Sequence, residues 1–334
     1  MKTGILTYHF ACNYGAVLQA WALKEYLTSL GHEAHVIDYR PASVLKGYRW
    51  FDWRRFVGRT PARAWNRTLS ELRIISSRKS RYAAFSAFSA SSLSLVPVSC
   101  LDDMDLLIVG SDQVWNREIT KGFDPVYWGD VPEDAERISY AASFGLSKAL
   151  PSGEASVAAA KLCRNFKAVS FREGSMLSSF DGIEGCEGFR ADVDPVFLPS
   201  EEAWTALASR SNMDIPVPYL FFYQVKYSQE AYEFACSEAS SKGLRLVCLS
   251  AKLEYENSPE VIESSPCDFV KLLLNASEVV TTSFHGAALS MVFGKDFRLF
   301  GSDGDVRLSS LLSGAADMEE SIAASKMYLN SFLK

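Results

Sequence analysis

The chain has 334 residues, 48% of them hydrophobic and 22% charged, with a net charge of −6. That length implies about two domains, and the composition excludes wholesale disorder. A net negative chain is also a poor general nucleic-acid binder, because neutralising phosphates needs a basic surface. The charge is uneven: residues 46–82 hold eleven Lys or Arg against two acids, a local +9, and the remaining chain sums to −15. Seven cysteines are scattered with no CxxC pair. With only four histidines there is no zinc signature, and reduced thiols are expected. No run approaches the roughly 18 apolar residues of a membrane span, and the first residues do not form a signal-peptide core. A cytoplasmic protein is therefore expected.

The first forty residues read as a strand–helix–strand unit. Gly4–Tyr8 is a short apolar strand, followed by a polar loop from His9 to Gly15. Ala16, Ala20, Leu23, Leu27 and Leu30 recur at spacings of three and four, one face of a helix. Gly31 is placed to end it. Glu33–Tyr39 is the second strand, and the tight connection implies a parallel pair with a right-handed crossover. The basic stretch 46–82 then breaks the alternation. It reads as helical in pieces and carries Trp50, Phe51, Trp53, Phe56 and Trp65. Strands resume at Asp105–Val109, Arg137–Ala142 and Lys167–Phe171, with a helix over Glu154–Phe166. Pro195 to Pro218 is linker-like. Beyond it, strands are expected at Tyr219–Val225, Leu244–Leu249, Glu278–Thr282 and Asp296–Phe300. Helices are expected at Gln229–Lys242, Cys267–Asn275 and His285–Phe293, with more helix after Arg307. The expected fold is α/β, with two Rossmann-like doubly wound domains facing a cleft. Residues 1–195 form the first, carrying the insertion 46–82, and residues 196–334 form the second, ending in helices.

Ligands of such sheets sit beyond the carboxyl ends of the strands. Five strands here hand over to small, polar or charged residues: His9–Gly15, Gly110–Asn116, Ser143–Gly145, Arg172–Glu173 and Ser283–Gly286. Asn13-Tyr14-Gly15 is either a cap with a glycine turn or an anion site at a helix N-terminus. There is no GxGxxG and no GxxxxGK[ST], which argues against a nicotinamide cofactor and a P-loop ATPase. Asp112 can cap the next helix, orient a sugar hydroxyl or serve a neighbouring base. Arg172 has the fork that binds a carboxylate or phosphate bidentately, or it pairs with Glu173. His285 lies between a strand and a helix, where an imidazole suits general acid–base work. His9, His32 and His35 read as structural.

Together these segments resemble the polysaccharide pyruvyl transferase family. The matching pieces are Gly4–Thr7 with Asn13–Ala20, Gly110–Asn116, Ser139–Gly145, Ser170–Glu173, Asp192–Pro195 and Thr282–Ala288. The resemblance implies a glycosyltransferase-B-like pair of domains. It implies transfer of pyruvate from phosphoenolpyruvate to a sugar as a cyclic ketal, with no metal or further cofactor. It also implies that Arg172 binds the donor and that His285 sits at the reacting centre. Asn13, Tyr14, Gly15, Ser283 and Gly286 are expected around the same donor, and Asp112 as a base or hydroxyl ligand. Ser111, Gln113 and Trp115 are expected toward the acceptor. Many members carry an arginine two residues before this histidine, where Ser283 stands here, and Arg307 is the leading candidate to supply that cation. The acceptor implied is a sugar of a polysaccharide or a lipid-linked glycan precursor. For the latter, the basic, aromatic stretch 46–82 has the composition of a peripheral membrane contact. A cover over its own domain, or a subunit contact, would use the same residues. Two other functions fit these features: a glycosyltransferase using a nucleotide sugar, and a non-catalytic glycan-binding relative.

Overall fold

A computed structural model describes residues 1–45, 61–131, 135–145, 151–250, 264–301 and 317–333, with backbone alone over 61–75. Trp50, Phe51, Trp53, Phe56, Arg54, Arg55, Arg59 and Arg307 lie outside the described residues, as does the Trp65 side chain.

The first sheet contains β1 (Lys2–Leu6), β2 (Glu33–Ile37), β3 (Leu95–Val96), β4 (Leu106–Val109) and β5 (Glu136–Ser139), in the spatial order β3-β2-β1-β4-β5. Every pairing is parallel, with Ile5 beside both Val36 and Ile108. Parallel bridges from Ile138 to Ala168 and from Ala142 to Phe171 extend it to β6 (Ser170–Phe171), which pairs with β7 (Arg190–Ala191). The second sheet is also parallel, in the order β11-β10-β8-β9. Its strands are β8 (Tyr219–Gln224), β9 (Arg245–Ser250), β10 (Glu278–Thr281) and β11 (Phe297–Leu299). Sheets covered on both faces need continuous apolar strands, and Leu106–Val109 and Tyr219–Gln224 are buried throughout. The two doubly wound domains expected from the alternation are present.

Helix α1 (Tyr14–Ser29) departs from the expected single apolar face. Tyr14 through Leu23 are all buried, whereas Leu30 is 41% exposed. The reason is its position between the two domains, which buries its first half on every side. Trp21 meets Trp204 at 4.6 Å, and Tyr14 stacks on Phe269 at 4.8 Å. A fully buried large apolar side chain contributes roughly 1.5–3 kcal/mol, so these contacts join the domains firmly. Gly31, at φ +86°, closes the helix as expected, with the Gly31 N–H on Thr28 O and the His32 N–H on Leu27 O.

Within the described residues, 61–82 of the basic stretch lie in one continuous helix, α2 (Pro61–Ser92). Its buried Phe85 packs on Tyr14 at 4.9 Å. The longer helices that follow are α3 (Glu154–Cys163), α4 (Glu201–Ser209), α5 (Gln229–Ser241), α6 (Pro266–Asn275) and α7 (Phe284–Val292). The last is α8 (Met318–Asn330). It crosses back onto the first domain, where Tyr328 OH donates to Ser139 O (2.9 Å) and Tyr26 OH donates to Asn330 Oδ1 (3.1 Å). Among the described residues, no helix is long and apolar enough to cross a membrane.

Candidate active site

The carboxyl edge of the first sheet gathers the loops after β4, β5, β6 and β7. Arg172 directly follows β6, Asp194 follows β7, and Ser111 and Asp112 follow β4. The second domain brings His285, in the first turn of α7 after β10. Arg172, Asp194 and His285 meet there although they come from three separate segments.

Asp194 is the centre of the cluster and is fully buried. Its Oδ2 accepts Arg172 Nη1 at 2.7 Å and lies 3.4 Å from both His285 Nε2 and Ser111 Oγ. Its Oδ1 accepts the Val196 N–H at 3.1 Å. The His285 contact is an ion-pair approach rather than an aligned hydrogen bond. Burial alone would raise the Asp194 carboxyl, but His285 and Arg172 outweigh it and hold the group well below the usual carboxylate range. Burial likewise opposes the Arg172 charge, while Asp194, Glu173 and Asp112 stabilise it.

Arg172 is less free than a bidentate clamp would need. Nη1 is committed to Asp194, Nε lies 3.4 Å from Glu173 Oε1, and the guanidinium stacks 4.8 Å above the Phe284 ring. The ion pair with Glu173 is therefore real, but it leaves Nη2 buried with no hydrogen-bond partner. Glu173 is fixed in turn by the Ser143 hydroxyl, which donates to Oε1 at 2.5 Å. A cavity of about 270 Å³ opens beside this group, lined in part by Arg172, Asp194, Phe284, Met318 and Ser321.

The other described residues expected around the donor have these surroundings. The Asn13 side chain caps α1 by accepting the Gly15 and Ala16 N–H groups, so those donors are already filled. Tyr14 is buried at the domain junction, its OH bonded to Ser264. Gly15 makes room for His285, since a Cβ there would stand 2.1 Å from His285 Nδ1. Ser283 caps α7 through the Gly286 N–H, and a Cβ on Gly286 would stand 2.4 Å from Thr281 Oγ1.

The expected acceptor set is not brought together on a surface. Trp115 is fully buried, stacked on Trp128 at 4.6 Å with its N–H on Tyr127 O. Ser111 is buried and donates to Ala141 O. Only Gln113 is half-buried, and its Oε1 accepts Asn116 Nδ2. Aromatic and hydroxyl groups in a strand-end loop can point into the core as readily as into the cleft, and here packing took both. Asp112, at φ +65°, does hold a backbone conformation that is uncommon outside glycine, and its Oδ1 accepts the Gln113 N–H. Asp194 was not among the residues given a role from sequence. A carboxylate immediately before Pro195 at a strand exit is the signal that could have found it.

Residues 13–304 match the polysaccharide pyruvyl transferase family. The chain belongs to that family. No curated protein matches this pyruvyl transferase family member significantly. Among solved structures it is similar to UDP-N-acetylglucosamine 2-epimerase from Rickettsia bellii, at 8% identity and TM-score 0.46, covering 100% of this chain and 96% of that one. The Neisseria meningitidis UDP-GlcNAc 2-epimerase bound to UDP-GlcNAc gives 10% identity and TM-score 0.43, with 100% of each chain covered. The Streptomyces sp. SF2575 glycosyltransferase SsfS6, complexed with thymidine diphosphate, gives 13% identity and TM-score 0.40 over 97% of this chain and 89% of that one.

Proposed function

We propose that this family member transfers pyruvate from phosphoenolpyruvate to two neighbouring hydroxyls of a glycan sugar. The observation that carries the reading is Arg172, which lines the strand-end cavity and keeps a buried Nη2 with no hydrogen-bond partner. A buried N–H left unmade is costly unless a ligand completes it, and an anionic donor would do so. In the reaction the enol methylene gains a proton and becomes a methyl group. Both sugar oxygens bond to the adjacent carbon, and phosphate leaves. The two hydroxyl protons end on the methyl group and on the phosphate. In this reading His285, 3.4 Å from the Asp194 carboxylate, carries one of them. Asp112, the residue expected as base or hydroxyl ligand, lies within electrostatic reach of Arg172.

The test is incubation of the purified protein with phosphoenolpyruvate and glycan precursors. Phosphate release with a mass gain equal to pyruvic acid less one water is expected. Turnover of nucleotide sugars instead, with no ketal, would replace this reading with glycosyl transfer. Arg172→Lys should weaken phosphoenolpyruvate binding by roughly tenfold or more, because one ammonium cannot serve Asp194, Glu173 and the ligand together. Equal affinity of the two forms by calorimetry would refute the Arg172 contact.

The finer part of the proposal is a lipid-linked acceptor met at an anionic membrane face. The local +9 of residues 46–82 supports it, since such a leaflet attracts basic groups at up to about 1 kcal/mol each. Weak liposome binding is expected that rises with anionic lipid, falls with salt, and drops when Arg54, Arg55 and Arg59 become Ser. Binding indifferent to lipid charge would leave a soluble acceptor.

A further inference from the structure

Helix α8 reaches the strand-end cavity from the far end of the chain. Met318, Ser321, Ala324 and Ser325 line it together with Arg172 and Asp194. The helix is tied to the first domain along its second half. The Val193 N–H donates to Ser325 Oγ (3.1 Å), Arg190 Nη2 donates to Ala324 O (3.3 Å), and the Arg190 guanidinium lies 4.7 Å from the Tyr328 ring. Val193 immediately precedes Asp194, so the Ser325 bond fixes the strand exit that aims this carboxylate at Arg172 and His285.

The acids around the cavity are already engaged. Asp194 holds Arg172, Asp192 takes both Arg190 donors and the Ser170 hydroxyl, and Glu173 takes the Ser143 hydroxyl. Among the described residues, Arg172 lines the space with its buried Nη2 left without a hydrogen-bond partner, and Ser321 of α8 lines the same space. Phe284 and Met318 add apolar surface between such polar points. This combination suits a small carboxylate or phosphate ester whose carbon skeleton has an apolar face.

We infer that α8 is the selective wall of the substrate site. Ser321 and Met318 decide which small anion Arg172 accepts, and Ser325 is a positioning residue for Asp194. The inference rests on the donor reading above, and its test separates the two.

Ser321→Cys is labelled with an anionic methanethiosulfonate reagent, and the peptide carrying position 321 is followed by mass spectrometry so that the native cysteines do not interfere. Calorimetry on the wild-type protein with phosphoenolpyruvate runs alongside. Saturating phosphoenolpyruvate should slow labelling at least tenfold. If phosphoenolpyruvate binds by calorimetry yet labelling is unchanged, the α8 wall is wrong and the donor reading stands. If phosphoenolpyruvate does not bind but inorganic phosphate, pyruvate or a nucleotide sugar protects the thiol, the donor reading fails and the wall stands. Protection by none of these probes overturns the wall. Met318→Trp provides a second measurement without a new thiol. It should lower the affinity for the protecting anion at least tenfold at an unchanged melting temperature, and wild-type affinity would count against the inference.

Discussion

His285→Gln is expected to retain the fold and to lose turnover by a factor on the order of 10²–10⁴, the usual range for a positioned acid–base group. The fold survives because His285 Nε2 makes no aligned hydrogen bond, and a glutamine amide fills similar space beside Asp194. Turnover is read as phosphate release from phosphoenolpyruvate in the presence of acceptor. Gly15→Ala tests the same group without touching it. The new methyl would stand 2.1 Å from His285 Nδ1 and 2.4 Å from its Cγ, so the imidazole or the helix must move. Helix α1 is wedged between the two domains and yields poorly, which leaves the imidazole to be displaced. Loss of turnover comparable to His285→Gln is expected, with a stability cost of about 1–3 kcal/mol for the overpacking. Wild-type turnover in His285→Gln at an unchanged melting temperature would return this histidine to a structural role.

The strand–helix alternation was legible because parallel strands buried on both faces read as near-continuous apolar runs, as Leu106–Val109 and Tyr219–Tyr223 do. The strand-end principle then pointed to Arg172 and His285, and both lie at the convergence of the loops. What a linear reading cannot show is which way a loop side chain turns. Tyr14 and Trp115 sit in strand-end segments, yet each found a core partner for its ring and a buried acceptor for its polar hydrogen. Asp194 stands 22 residues from Arg172, and only the pairing of β6 with β7 makes them neighbours. Helix α8 was legible as a helix, but its partner was chosen by tertiary contacts with Tyr140 and Tyr26 in the other domain. The single apolar stripe read for α1 failed for a similar reason: a helix serving two domains at once has no solvent face over most of its length.

Asp194→Asn is expected to be the most damaging conservative change in the site. It removes one charge from a buried ion pair and leaves Arg172 with Glu173 alone, at 3.4 Å. Stranding one member of a buried pair costs about 3–5 kcal/mol, because the remaining charge keeps its desolvation penalty without its partner. Donor binding should weaken as well, since the Asp194 bond to Nη1 fixes the position of the Arg172 guanidinium on the cavity wall. The pH dependence separates charge from packing. The folded-state Asp194 carboxyl lies below its unfolded value of about 3.9. Its contribution is therefore complete above that pH and is lost as pH falls through the acid range toward the folded value. The melting-temperature gap between wild type and Asp194→Asn should be widest near neutrality and should narrow progressively below about pH 4. A gap of equal size at pH 7 and in the acid range would mean that shape rather than charge holds Arg172 and His285 in place.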